Sequence, residues 1–201
     1  MITLTPDQHK IIDVAFKRFS KMGHENTTMA QIAKDLGYSR TFLYYYFPDK
    51  ESIFKGALTS RSNKYFEAVE KELKKHNSGI KTLEAVFKLK ITCARDFQSL
   101  GIYTNITVFR MLVNDPDLRF IFQDEHKFFS KILQDGIKDN TIQKCNIQKT
   151  TSMILDSIHG FMSVGLRKLG MEGKITNQEM DELSKRQLEF TSFLLQALKV
   201  N

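Results

Sequence analysis

The chain contains no tryptophan, two cysteines, three prolines and ten glycines in 201 residues. Turn formers this sparse exclude a sandwich or barrel built from many hairpins. Cys93 and Cys145 are too few for a disulfide scaffold and suit a reducing, cytoplasmic compartment. No CxxC motif or Cys/His cluster is present, so no structural metal and no cofactor are expected. No run approaches eighteen uncharged apolar residues, which argues against a membrane span. The opening Met1-Ile2-Thr3-Leu4-Thr5-Pro6-Asp7 has no basic region leading into an apolar one and does not read as a secretion signal. HExxH, GxSxG and P-loop patterns are missing, and the chain is not expected to be an enzyme.

What is present is charge and helical periodicity. Thirty Lys and Arg against 23 Asp and Glu give a net charge of +7, which favours polyanionic partners. Thr5-Pro6-Asp7-Gln8 is a capping box with proline at the first helical position, and Ile11, Ile12, Ala15, Phe16 and Phe19 follow at helical spacing. Gly23 is expected to end that helix in the left-handed conformation. Thr28 to Gln31 forms a second box, and Thr176 to Glu179 a third. Further helices are expected from about Asp49 to His76, then to Ser99, to Asn114, from Asp117 to Lys138, and from Ile147 to Leu169, with Gly170 to Gly173 as a loop. The expectation is an all-α fold of about nine helices.

Two short helices flank Leu36-Gly37-Tyr38-Ser39, the pattern of a helix-turn-helix. The second carries Arg40, Thr41, Tyr44, Tyr45, Tyr46 and, just beyond, Lys50. Side chains three and four apart share a face, so a helix this short cannot hide them all. Leu43, Tyr46 and Phe47 are expected to face inward, leaving Arg40, Thr41, Tyr44 and Tyr45 outside. An outward face of guanidinium, hydroxyl and phenol donors suits base edges and phosphates.

From about Ile11 to Leu58 the sequence resembles the tetracycline-repressor (TetR) family of bacterial transcription regulators. The resemblance rests on Ala15-Phe16, Phe19, Gly23, Thr27-Thr28, Ile32-Ala33, Leu36-Gly37, Ser39, Leu43 to Phe47, Lys50 and Leu58. It implies a DNA-binding domain over residues 1–48 and a helical effector-binding and dimerisation domain over 49–201. Ser39 to Phe47 would be the recognition helix. Arg40, Thr41, Phe42 and Tyr45 are then candidate base or methyl contacts, and Thr28, Ser39, Tyr44, Tyr46 and Lys50 candidate phosphate contacts. Gln31 could reach either. Many members have glycine and a small residue where Thr41-Phe42 stand, and histidine where Tyr46 stands.

The resemblance also implies a homodimer on a palindromic, double-stranded DNA operator. Ile158, Phe161, Met162, Phe190, Leu194 and Leu198 are candidate interface residues, because the last two helices carry more apolar side chains than one stripe can hold. Phe87, Phe97, Asn105, Phe109, Arg110, Phe128 and His159 are candidates for a pocket taking a small, mostly apolar effector. Phenylalanine at helical spacing is core more often than ligand wall, and His159 reads first as a hydrogen-bonded core or interface histidine and only second as a ligand contact. Residues 61–100 carry nine basic and five acidic side chains, Lys90 among them, and read as a solvated helix surface, the alternative being a site for an acidic effector or an extra DNA phosphate contact. The function expected is a ligand-responsive repressor. The alternative is a DNA-binding regulator with no small-molecule effector, constitutive or controlled by a partner.

Overall fold

The computed structural model describes residues 4–170 and 176–200. Among these it contains nine α-helices, one short 3-10 turn and no strand. The helices are α1 (Pro6–Met22), α2 (Met29–Leu36), α3 (Arg40–Tyr46), α4 (Lys50–Lys75), α5 (Gly79–Ser99), α6 (Ile106–Asn114), α7 (Phe120–Lys138), α8 (Ile147–Gly170) and α9 (Asn177–Leu198). All three capping boxes form: Thr5, Thr28 and Thr176 each accept from a backbone N–H three residues on, and Gln8, Gln31 and Glu179 reach back.

Three boundaries differ from expectation. Gly23 has φ 81° and ψ 161°, outside the left-handed helical region, so it turns the chain sharply instead of closing the helix in the usual way. Pro116–Leu118 is a separate 3-10 turn, because Asp115 Oδ1 accepts from the Asp117 N–H at 2.9 Å and tightens the chain before α7. Gly170 is the last residue of α8 and not part of a loop, while the rest of the loop expected after it lies outside the described residues.

The chain forms two compact units. One runs to Asn63 and takes in Asp96–Leu118; the other takes in Lys64–Arg95 and what is described from Arg119 on. The first turns of α4 place Ile53, Phe54, Ala57 and Leu58 at zero exposure, and Phe54 meets Phe19 edge-on at 5.1 Å. Ile11, Ile12, Ala15 and Phe19 of α1, Ile32 and Ala33 of α2 and Leu43 of α3 complete that core. Each fully buried Ile, Leu or Phe is worth roughly 1.5–3 kcal/mol over its exposed state. Such burial is what holds helices as short as α2 and α3 in place.

The second unit packs Tyr65, Phe66 and Val69 of α4 with Leu83, Val86 and Phe87 of α5, Phe129, Ile132 and Leu133 of α7, and Ile154, Leu155 and Ile158 of α8. A single bridge between Ile142 and Lys199 ties the end of α9 to the segment after α7. No described helix is long and apolar enough to cross a membrane.

Candidate nucleic-acid interface

The first unit builds a surface around α3. Gly37 takes φ 73° and ψ 24°, which only glycine adopts without cost, and lets α2 turn into α3 within three residues. Arg18 of α1 grips Asp35 of α2 through two parallel hydrogen bonds, one of them at 2.7 Å. Leu43 and Phe47 point into the core. Arg40, Thr41, Tyr44 and Tyr45 all point out, and Tyr45 is 82% exposed. Arg40 has no ion pair among the described residues, leaving its donors free.

The expected phosphate contacts divide by chemistry. The Thr28 and Ser39 hydroxyls accept from the backbone N–H groups of Gln31 and Phe42 at 3.3 and 3.2 Å. Each keeps its own hydrogen to donate outward. Gln31 returns its amide oxygen to the Thr28 N–H at 2.9 Å, leaving its NH2 as its donor. Lys50 donates to the His24 carbonyl at 2.9 Å, which spends one of three ammonium hydrogens and pins the turn after α1 to the start of α4. The His24 ring is buried against Phe19 and Phe54. Burial, and then the charge of Lys50, lower its pKa and keep it neutral. Tyr46 is only half-buried, and its hydroxyl donates to Asp7 Oδ2 at 2.8 Å. Phe42 is half-buried between Tyr38 and Tyr46. Asp7, Lys10 and Tyr38 therefore join this surface although sequence reasoning did not single them out. Contacts between residues 28 and 39 positions apart leave no local signal.

The model of the bacterial regulatory proteins of the tetR family matches residues 11–57, the segment that forms most of this surface. A TetR-family transcriptional regulator from Pectobacterium atrosepticum has the same fold, with TM-score 0.72 at 15% identity over 97% of this chain and 95% of that one. The chain carries the tetR-family segment over residues 11–57. It is a DNA-binding transcriptional regulator with a helix-turn-helix, a role that involves no catalysis. A transcriptional regulator from Cytophaga hutchinsonii matches its fold with TM-score 0.82 at 24% identity, over 98% of this chain and all of that one. The fatty acid metabolism regulator protein of Bacillus subtilis is 24% identical over 144 residues, 72% of each chain.

The second unit carries an ionic cluster around the buried Glu125 carboxylate. Lys90 of α5 pairs with Glu125 of α7, and its ammonium lies 3.0 Å from Nε2 of His159 on α8. The same Nε2 is 3.1 Å from the other carboxylate oxygen of Glu125, and the Tyr65 hydroxyl donates to Glu125 Oε1 at 3.4 Å. Burial pushes the Glu125 carboxyl up, but the charge of Lys90 and the bonds from His159 and Lys90 outweigh it, bringing it down to about 2. Lys90 is thus no solvated surface lysine; its side chain is 12% exposed.

The remaining expected residues divide between the two units. Phe97, Asn105, Phe109 and Arg110 belong to the first unit, and Phe87, Phe128 and His159 to the second. Phe87 is buried against Phe129, and Phe128 stacks on Phe66 at 5.6 Å. The Asn105 side chain caps α6 and donates to Glu25. Phe109 is 44% exposed, and Arg110 is exposed as well.

Of the six expected interface residues, Ile158 and Met162 are buried within the chain's own core at 1% exposure, so they have no face left for a second copy. Leu194 and Leu198 are half-buried against that core. Phe161 and Phe190 stack at 5.6 Å with a 12° tilt and line a groove between α8 and α9, together with Gly160, Val164 and Gly165. Met153, Val164, Leu188 and Phe193 stand exposed on these two helices.

Proposed function

We propose that the protein is a ligand-responsive repressor that acts in the cytoplasm. Residues 1–48 would be its DNA-binding domain and 49–201 its effector-binding and dimerisation domain. The observation that carries the DNA reading is the two-sided α3: Leu43 and Phe47 close the core while Arg40, Thr41, Tyr44 and Tyr45 are exposed. Two such helices about 34 Å apart in a dimer would read successive major grooves of a palindrome. The exposed apolar side chains of α8 and α9 support the dimer.

A small, mostly apolar effector is the proposed signal. The relative from Bacillus subtilis, named for fatty acid metabolism, agrees with an apolar ligand. The Lys90–Glu125–His159 cluster around a buried carboxylate supports a polar anchor in the same domain, since a buried charge costs stability that an apolar core would not. The continuous α4 starts at Lys50, three residues after the recognition helix, and supports a route for the signal. An effector lowers operator affinity only by binding the released state more tightly.

The test begins with selection of binding sites from random DNA by the full-length protein. A palindromic consensus is expected, and Arg40→Ala should relax one base pair of it by roughly 1–3 kcal/mol. Enrichment of no sequence would remove the operator from this account. A screen of apolar compounds by thermal shift follows, with operator affinity measured for each compound that stabilises the protein. A tight ligand that leaves operator affinity unchanged sinks the switching mechanism. Phe87 and Phe128 packed on core rings favour the second reading, a regulator with no small-molecule effector. That reading predicts no stabilising compound.

A further inference from the structure

The side chains on the outer side of α3 do not stand independently. Tyr38, Phe42 and Tyr46 form a ladder at four-residue spacing, with ring centroids 4.3 and 5.0 Å apart. Tyr45 meets Tyr46 edge-on at 5.0 Å. Both ends of the ladder are held from α1. At one end the Tyr46 hydroxyl donates to Asp7 Oδ2 at 2.8 Å. At the other the Lys10 ammonium donates to the Tyr38 hydroxyl at 3.0 Å and sits 4.8 Å from the ring centroid. Asp7 and Lys10 are three residues apart and share a face of α1.

We infer that Asp7 and Lys10 are positioning residues for sequence readout: they clamp the aromatic ladder and so fix where Tyr45, packed edge-on against it, points. The inference rests on the proposed reading of α3 as the recognition helix. A carboxylate on the face that meets DNA repels phosphate and weakens binding to every sequence. A hydroxyl committed to that carboxylate cannot serve a phosphate without giving up the bond. Asp7 and Tyr46 together thus give up general affinity for a fixed geometry. Rings suit this purpose because each has only two side-chain torsions to fix, and stacked or edge-on contacts restrict both. Phe42 belongs to the clamp, since its ring lies between Tyr38 and Tyr46 and is not free to reach a thymine methyl independently.

The alternative role for Asp7 is local. An acid in the first turn of α1 favours the helix dipole whatever Tyr46 does. Sequence preference separates the two. The full-length protein and its Asp7→Asn, Tyr46→Phe and Asp7→Asn/Tyr46→Phe variants would each select sites from random DNA. Their affinities for the wild-type consensus and for a scrambled duplex would then be measured across a salt series, with melting temperatures alongside.

The clamp predicts that Asp7→Asn and Tyr46→Phe each broaden the selected half-site and cut the consensus-to-scrambled ratio by about tenfold. Asp7→Asn should also bind scrambled DNA more tightly, with a salt dependence steeper by up to about one unit. The double variant should lose no more preference than either single, because both break one device. A lower melting temperature with unchanged preference would make Asp7 a helix-stabilising residue and overturn the inference. A uniform loss for Tyr46→Phe, with a salt slope shallower by about one, would make Tyr46 a phosphate contact and also overturn it. If wild type selects a consensus and the variants select the same one, only the clamp fails. If wild type selects none, the recognition-helix reading fails and takes the clamp with it.

Discussion

Glu125 is a nearly waterless carboxylate that stays ionised because neighbouring helices bring donors to it. Lys90 comes from α5, His159 from α8 and Tyr65 from α4. Glu125→Leu removes the countercharge and leaves the Lys90 ammonium buried, so it should cost roughly 3–5 kcal/mol in urea unfolding. Lys90→Met/Glu125→Leu, with no charge left to strand, should recover most of that loss. A single variant within 1 kcal/mol of wild type would show the cluster to be energetically idle. The pH dependence has a definite sign. The folded carboxyl titrates at about 2, below its ordinary value of 4.5. The unfolded state therefore takes up the proton first on acidification. The stabilisation is complete above about pH 4.5 and falls away as pH drops toward 2. It should be missing from the pH profile of Glu125→Leu. None of this was legible in Asp124-Glu125-His126-Lys127, which reads as a solvated run. Asp124 does stay near the surface with Lys127, and only the packing of α7 decides which of two adjacent acids turns inward.

The helices were legible wherever the signal is local. Thr5, Thr28 and Thr176 cap as their spacing demands, because a capping box closes within three residues. Close approaches between helices leave no such trace. Gly79 begins α5 against Gly136 of α7, and a Cβ on Gly79 would lie 2.2 Å from the Gly136 Cα and 2.4 Å from its nitrogen. Both obstacles are backbone, so they cannot rotate away. The Gly79 N–H also donates to Asp139 Oδ2 at 2.7 Å, a bond that fixes the register. Gly79→Ala should therefore destabilise by about 1–3 kcal/mol despite the better helix propensity of alanine. Gly160 of α8 is the control. Nothing lies within 4 Å of its Cβ position, so Gly160→Ala should stabilise the monomer by about 0.5–1 kcal/mol. Denaturant midpoints for the two variants should move in opposite directions. A shift of the same sign for both would mean that propensity, not the contact with α7, controls position 79.

At the scale of the whole molecule, the apolar excess of α8 and α9 was legible, but its division between core and surface was not. Both helices show apolar residues on more than one side, and periodicity cannot say which side the chain covers for itself. The structure gives Ile158 and Met162 to the core and leaves Val164 and Phe193 at 56% and 66% exposure. The proposed dimer should therefore depend on the exposed pair and not on the buried one. Phe193→Glu places a charge where a second copy would bury a ring, while the folded monomer loses little because the ring is mostly in water already. Sedimentation equilibrium should show a dimer for wild type and a monomer for Phe193→Glu, with the melting transition of the isolated chain preserved. DNA binding should then separate by duplex length. A duplex bearing one half-site should bind both proteins alike, since α3 is untouched. A full palindrome should bind the variant at least about a hundredfold more weakly, the advantage that linking two sites confers. If Phe193→Glu stays dimeric and keeps its affinity for the palindrome, the two chains meet through another surface. If it becomes monomeric and loses half-site binding too, the substitution has disturbed the fold, and Val164→Glu must be tested in its place.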